Sequence, residues 1–464
     1  MTDLPQHATQ VFFFLNRHNT ELGYDKLFYV NWLTPYSLGL LISCGFAQFF
    51  SILISVKLTL VFSLVATFYF SFKLLEELGG DTFWSLLVFP LFFGYSFYWG
   101  FFPFISAYPF ALLYLFSGIR YFKNPHSING VIFFIASLLV FFGHMLLFLF
   151  SFAVLCGFYL RFFKKETLIT HVNKLCVFAL PALFFSLIFF INKSKDPSSI
   201  GGIEWRTNPI IKLLELLVFS NNSQLHHITL FMSLLGLITI TLSSEKKEKN
   251  INNFYPFIGA ILIFIFTPNS YFGVYFLYQR FSSLTALIFI FCLSETSVVS
   301  YKKISQILVI FIVTVSCFFL HYQCIAYNRE AKEIDPILEK IPKNQKIAPL
   351  IFSTEMRMAS SEARHLPCWY IVEKGGQIRF SFSTLGYSLI RYKKHLNYFQ
   401  LERLGFTNNN PLYILPKELE EFTYVIGRSN SDISNSSILK DFQLIETSGN
   451  WFLFKNTKID NLNS

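Results

Sequence analysis

From Lys57 to about residue 322 the chain is a succession of apolar runs separated by short polar breaks: 58–75, 83–98, 104–119, 131–145, 146–160, 175–192, 227–243, 254–268, 281–298 and 304–322. Runs of this length and apolarity predict helices that cross or nearly cross a bilayer core. The 131–160 stretch fits either one tilted helix or two short ones hinged at Gly143 and His144. Ahead of these runs, Pro35–Ile54 is apolar but interrupted by Pro35, Gly39, Gly45 and Gln48, and fits either a span or an interfacial helix. Residues 1–32 mix polar and aromatic positions, without the charged and then apolar order of a signal peptide. After about 325 the pattern becomes that of a water-soluble region. Strands are expected at 346–352, 377–382, 411–415, 423–427, 442–446 and 451–455, the last two joined by Ser448-Gly449-Asn450. Helical stretches at 366–374, stopped by Gly375-Gly376, and at 416–421 complete a small α/β or α+β unit.

Composition sharpens this picture. Of 464 residues, 53% are apolar and 14% charged, well below the roughly 25% charge of soluble domains, which excludes a water-soluble enzyme as the whole answer. The net charge of +10 sits in short clusters between apolar runs, Arg120/Lys123, Arg161/Lys164/Lys165/Lys174, Lys246/Lys247/Lys249 and Lys302/Lys303. Such clusters are the mark of cytoplasmic loops and not of a nucleic-acid partner. All of them fall on one side only if 131–160 is a hairpin, with His144 at its outer tip. The loop at 99–103, the segment 193–226 and everything after 322 then face outward. Ten spans with an outer C-terminus call for an outer N-terminus, so either Pro35–Ile54 is an eleventh span or a membrane helix belongs before Met1. Within 193–226, a flexible stretch at 196–202 precedes an expected surface helix from Pro209 to Phe219 with Lys212 and Glu215 on its polar face. The seven cysteines are scattered with no metal-type spacing; Cys324 and Cys368 alone lie outside the apolar part, where they could pair.

Ionisable residues in or beside membrane spans are costly, so each one needs a reason. Glu76, Glu77 and Asp81 read as a solvated cytoplasmic loop, with Asp81 capping the next helix. His144 is either a neutral histidine satisfied at the bend or a polar group lining an outer cavity. Arg280 and Lys57 are each either snorkelling interfacial cations or clamps on a lipid phosphate, for which a permanently charged fork such as arginine is suited. Asp3 and His7, Lys73, Glu204/Arg206 and His226/His227 complete the candidates.

Several short motifs carry a family resemblance: Asp3-Leu4-Pro5-Gln6-His7, Leu33-Thr34-Pro35-Tyr36-Ser37-Leu38-Gly39, Val56-Lys57-Leu58, Tyr98-Trp99-Gly100-Phe101, Phe142-Gly143-His144, and Thr267-Pro268 followed by Tyr278-Gln279-Arg280-Phe281. In this order they resemble the GT-C superfamily of polyprenyl-phosphate-sugar-dependent glycosyltransferases. The likeness is greatest to a bacterial branch ending in a small extracytoplasmic domain, which the stretch His365 to Gly376 also resembles. The resemblance implies a polytopic α-helical membrane protein of about ten to eleven transmembrane helices in the bacterial cytoplasmic membrane. It would be organised as residues 1–325, with outer surface helices in 1–55 and spans from 57 to 322, and an extracytoplasmic α/β domain at 326–464.

In that family an acidic residue just after a first membrane helix acts as general base on the acceptor or helps bind a divalent metal. Asp3 matches that position, with His7 beside it, and Pro35–Ile54 matches a surface helix. This chain shows no such first helix, and its 99–103 loop lacks the second acidic residue of many catalytic members. Two readings follow. In the first, sugar moves from a polyprenyl-phosphate carrier to an extracytoplasmic acceptor, with Asp3 as base, Lys57 and Arg280 on the lipid phosphate, and Trp99 and His144 at the sugar. In the second, the same scaffold is a non-catalytic lipid-binding, glycan-binding or assembly protein. Membrane lipids are partners in both.

Overall fold

A computed structural model describes residues 1–161, 179–189, 191, 202–205, 208–220, 251–271, 274–294, 302–356, 362–393, 416–434 and 436–458. The run 227–243, the strand at 411–415, Arg206, His226, His227 and the lysines at 164, 165, 174, 246, 247 and 249 lie outside the described residues.

Among the described residues, three helices are long and apolar enough to cross a membrane: Ile52–Leu78, Phe102–Lys123 and Lys303–Lys340. Ile52–Leu78 shows why such a helix belongs in lipid. Ser55, Thr59, Ser63, Thr67 and Ser71 recur every fourth position and are all buried, while Val61, Phe62, Val65 and Tyr69 are exposed on the other side. Polar side chains inside and apolar ones outside reverse the order of a water-soluble helix. Four of the five hydroxyls donate back up their own helix, among them Thr59 to Ser55 O at 3.0 Å and Ser63 to Thr59 O at 2.7 Å, while Ser71 Oγ has no partner among the described residues. Their small size lets Tyr108–Lys123 pack against this face.

Shorter apolar helices surround this pair. Ser127–Gly143 and Met145–Arg161 form a hairpin, with His144 between them in extended conformation (φ −168°, ψ 115°). Met145–Arg161 packs closely on Tyr255–Phe266 through glycines: a Cβ at Gly157 would lie 2.5 Å from Tyr255 O, and one at Gly259 2.7 Å from Ala153 O. At one end of the bundle, Asp81 caps Thr82–Leu87 by accepting from Phe83 N at 3.0 Å, and Lys123 pairs with Glu77 at 3.1 Å. The acidic group there is the capped loop that its sequence suggests.

Several expectations need correction. The run 83–98 is not one spanning helix. It breaks into a 3-10 segment, Thr82–Leu87, and two short helices, Val88–Phe92 and Tyr95–Trp99, interrupted at Phe93 and Gly94. Within Pro35–Ile54 the helix is only Leu38–Phe46, nine residues or about 13 Å, too short to cross. Pro209–Ser220 is a helix, but its polar side faces inward. Lys212 is buried, donating to Ile265 O and Thr267 O at 2.7 Å each, and Tyr278 Oη donates to Glu215. Ile210, Ile211, Leu213 and Leu214 are left exposed. Cys324 and Cys368 are free thiols.

The C-terminal region holds a mixed five-stranded sheet in the order Gln377–Ile378, Lys346–Ile351, Tyr424–Arg428, Trp451–Asn456, Phe442–Ser448. The first three strands are parallel and the last two antiparallel additions. Of the expected strand at 377–382 only its first two residues pair. The chain's beginning joins this region: Phe28–Val30 pairs antiparallel with Ile390–Tyr392, and Phe13, Tyr24 and Phe28 share a core with Ile337, Ile347 and Tyr370. The N-terminal helix Leu4–Leu15 is thereby wedged between the apolar bundle and the C-terminal sheet.

Candidate functional site

The wedge position explains the composition of the first helix. Leu4–Leu15 buries Gln6, His7, Thr9 and Gln10, and each amide is spent on the C-terminal region. Gln6 Oε1 accepts from Phe382 N at 3.0 Å and Gln10 Oε1 from Ile390 N at 3.0 Å, while Gln10 Nε2 donates to Ser383 Oγ at 2.7 Å. Two glutamines one turn apart thus satisfy loop backbone that would otherwise be buried unpaired. Asp3 is the N-cap of this helix, but its side chain makes no capping bond. Asp3 instead lines a cavity.

That cavity, of about 250 Å³, lies where the first helix, the Tyr95–Ser106 turns, the 144 hinge, the Val274–Arg280 segment and the C-terminal region meet. Five of the six sequence candidates line it: Asp3, His7, Trp99, His144 and Arg280. Lys57 does not. It lines a separate, larger groove of about 980 Å³ between Ile52–Leu78 and the Lys302–Ala331 helix.

Close backbone contact fixes Asp3. Its N–H donates to Trp99 O at 3.0 Å and the N–H of Thr2 to Tyr98 O at 3.0 Å. Gly100 permits this approach: its φ is +81°, and a Cβ there would sit 2.7 Å from Asp3 N. The Trp99 ring lies 4.6 Å from that of Phe276, itself held at φ +58°, a sparsely populated conformation for a bulky residue. The same turn holds Arg280, whose Nη2 donates to Tyr275 O at 2.9 Å and Nε to Phe276 O at 3.3 Å, with the guanidinium 3.8 Å above the Phe101 ring. Arg280 also lines the cavity. His144 is buried at the hairpin turn, edge-to-face with Tyr36 (4.6 Å) and Phe104 (4.8 Å), and its Nδ1 has no hydrogen-bond partner among the described residues.

Burial sets the protonation of the groups around the first helix. Asp3 is pushed up to about 7, because loss of hydration outweighs the attraction of Arg280 and Arg364. His7, between Phe102 and Phe382, is lowered to about 3 by burial and then by Arg280. His365 is lowered to about 3 by burial, Arg364 and His7. Near neutral pH the cavity therefore holds one carboxyl poised to exchange a proton, the neutral imidazoles of His7 and His365, and two fixed cations, Arg280 and Arg364. Among the described residues no group of three or more His, Cys, Asp or Glu side chains gathers at metal-holding spacing.

Sequence reasoning missed His365, Tyr36, Arg364 and Tyr387 as parts of the wall. His365 sits in a stretch noted only for its resemblance. The run Gln6, His7, Thr9, Gln10 was the available signal, since four polar side chains on a short apolar helix require buried partners.

No family model and no curated protein matches the chain. Among solved structures, the single-particle cryo-EM structure of the arabinofuranosyltransferase AftD from Mycobacteria is similar at a TM-score of 0.48 and 10% identity, over 92% of this chain and 35% of that one. The chain thus spans about a third of that protein's length. A likeness of that depth assigns neither a family nor a reaction.

Proposed function

We propose that the chain is a membrane glycosyltransferase of the GT-C kind, moving a sugar from a polyprenyl-phosphate carrier to an extracytoplasmic acceptor. The observation that carries this reading is the convergence of Asp3 and Arg280 on one cavity. A carboxyl that burial pushes up to about 7 shares the cavity with the permanent cations Arg280 and Arg364. Asp3 takes the proton from the acceptor hydroxyl as its oxygen forms the new bond to the anomeric carbon. The bond from that carbon to the carrier phosphate breaks, and the phosphate leaves with the electron pair, its charge met by Arg280. His7 offers a neutral nitrogen beside Asp3, and Trp99, with His144 deeper in the cavity, supplies a surface for the sugar. A second pocket of about 290 Å³, lined almost wholly by apolar residues including Leu146, Ile263 and Phe266, shares Tyr36, Val274 and Tyr387 with the first. It supports an amphiphilic donor whose chain lies there while its head reaches Arg280. Lys57, in the other groove, is outside this scheme.

One observation favours the non-catalytic reading: Asp3 is the one carboxylate among the described residues lining the cavity. Mass spectrometry of lipids retained by the purified protein, with polyprenyl phosphate added back, separates the cases when joined to a transfer assay. Retention by wild type and its loss in Arg280→Ala, together with transfer that Asp3→Asn abolishes, supports the enzyme. Retention without transfer supports the binder, and retention unchanged in Arg280→Ala removes Arg280 from the phosphate site.

A further inference from the structure

Resting on the reading of Asp3 as base, we infer that His365, presented from the C-terminal region, is the positioning residue that holds the Asp3 carboxylate turned into the cavity. The bonding around Gln6 fixes its tautomer. Phe382 N donates to Gln6 Oε1 at 3.0 Å, so the amide nitrogen of Gln6 must be on its other branch. That nitrogen gives one hydrogen to Phe380 O at 3.2 Å and directs the other at His365 Nδ1, 3.4 Å away. Nδ1 is thus an acceptor, and the hydrogen of the neutral ring is on Nε2. Nε2 faces Asp3 Oδ1 at 3.5 Å, a loose contact of the kind that tightens in a substrate complex.

The carboxylate needs such a partner because it makes no capping bond on its own helix. Stacking of His365 on Phe380, with ring centroids 5.7 Å apart, holds the imidazole plane. Neutrality matters to the role. A histidinium would draw the carboxylate's basicity down, whereas a neutral N–H orients it at smaller cost to its affinity for a proton. The other charges facing Asp3 are Arg280, Arg364, Glu362 and the amino terminus, and the neutral His365 ring lies within 3.5 Å of the carboxylate from the side of the C-terminal region. The site is therefore completed by the C-terminal region, through a chain running Phe382, Gln6, His365, Asp3.

The test reads Asp3 and His365 directly. Infrared titration of the Asp3 carboxyl, assigned with Asp3→Asn, is compared in wild type, His365→Phe and His365→Gln, beside the pH profile of kcat/KM. Loss of the donor in His365→Phe should raise the Asp3 midpoint by about one unit, so that kcat/KM at pH 6 falls about tenfold. His365→Gln, which can place an amide N–H where Nε2 was, should restore both. Gln6→Glu, read by 15N NMR of the imidazole, should move the ring hydrogen to Nδ1, and this measurement stands even if His365→Phe does not fold. An unchanged Asp3 midpoint in His365→Phe, or an unchanged tautomer in Gln6→Glu, overturns the inference. If Asp3 responds to His365 but no donor is ever turned over, the transferase reading fails and the positioning role stands.

Discussion

Asp3 is a residue whose environment rather than its identity gives it chemistry. With a midpoint near 7 it is ionised for about half the molecules at neutral pH, which suits a base that must both take and release a proton. Activity that depends on it should rise through pH 7 and level off above, and Asp3→Asn should lower transfer by about 10² to 10⁴-fold and abolish that rising limb. A pH profile of kcat/KM for both proteins checks this. Stability carries a separate signature. A carboxyl raised on folding favours the folded state below pH 4 and loses that contribution as pH rises through 7, while His7 and His365, lowered on folding, cost stability as pH falls from about 6.5 toward 3. The histidines outnumber the carboxyl, so wild type should lose thermal stability between pH 6.5 and 4.5, with Asp3 offsetting part of the loss. Asp3→Asn removes the offset. Its melting temperature in detergent should fall more steeply over that window than wild type's, and equal slopes would contradict the raised midpoint.

At the level of elements, the turn Tyr95–Trp99 to Gly100 and the helix Pro209–Ser220 each offer one contact that a single substitution can probe. At Gly100 an L side chain in the left-handed region costs about 1 to 2 kcal/mol, and its Cβ would press on Asp3 N. Gly100→Ala should therefore lower the melting temperature and also displace Asp3, losing transfer beyond what stability explains. Lys212→Met should act on stability alone: two carbonyls at the end of Tyr255–Phe266, those of Ile265 and Thr267, lose a charged donor, worth about 1 to 3 kcal/mol. Thermal unfolding beside the transfer assay distinguishes the two. The elements also show where sequence was readable. Long apolar runs such as Ile52–Leu78, the Gly143–His144 bend and the Ser448-Gly449-Asn450 hairpin are local patterns and appear as expected. The 83–98 run failed because apolarity alone does not report helix continuity: Pro90 and Gly94 stand within it, and the chain turns there. Pro209–Ser220 has the expected helix and polar pair, but that pair meets other elements: Lys212 bonds Ile265 O and Thr267 O, and Glu215 accepts from Tyr278 Oη. The cavity was legible where charge in an apolar context is rare, as at Asp3, His144 and Arg280. His365, 362 positions from Asp3, was illegible because long-range contacts bring those ends together, among them the strand pairing of Phe28–Val30 with Ile390–Tyr392, the glutamine contacts and the bond from Glu362 N to Thr2 Oγ1.

At the scale of the whole molecule, the ends of the bundle differ in kind. One carries Glu77, Asp81, Lys123 and the close approach of Gly80 to Ser294. The other carries the first helix, the cavity and the C-terminal sheet. Among the described residues Arg120 and Lys123 stand at the first end, and if the other positive clusters of the sequence lie there too, their bias should fix orientation with the cavity outside the cytoplasm. The consequence can be measured in whole cells. In a variant with all seven cysteines replaced, single cysteines at the exposed positions His126 and Lys440 should differ in their access to a membrane-impermeant maleimide. Lys440→Cys should be labelled in intact cells and His126→Cys only after permeabilisation. The opposite pattern would place the Asp3 and Arg280 cavity on the cytoplasmic side. An acceptor would then have to be met within the cell, and a carrier-linked donor, useful for carrying sugar across a membrane, would lose its rationale. Orientation thus decides the substrate class before any sugar is tested.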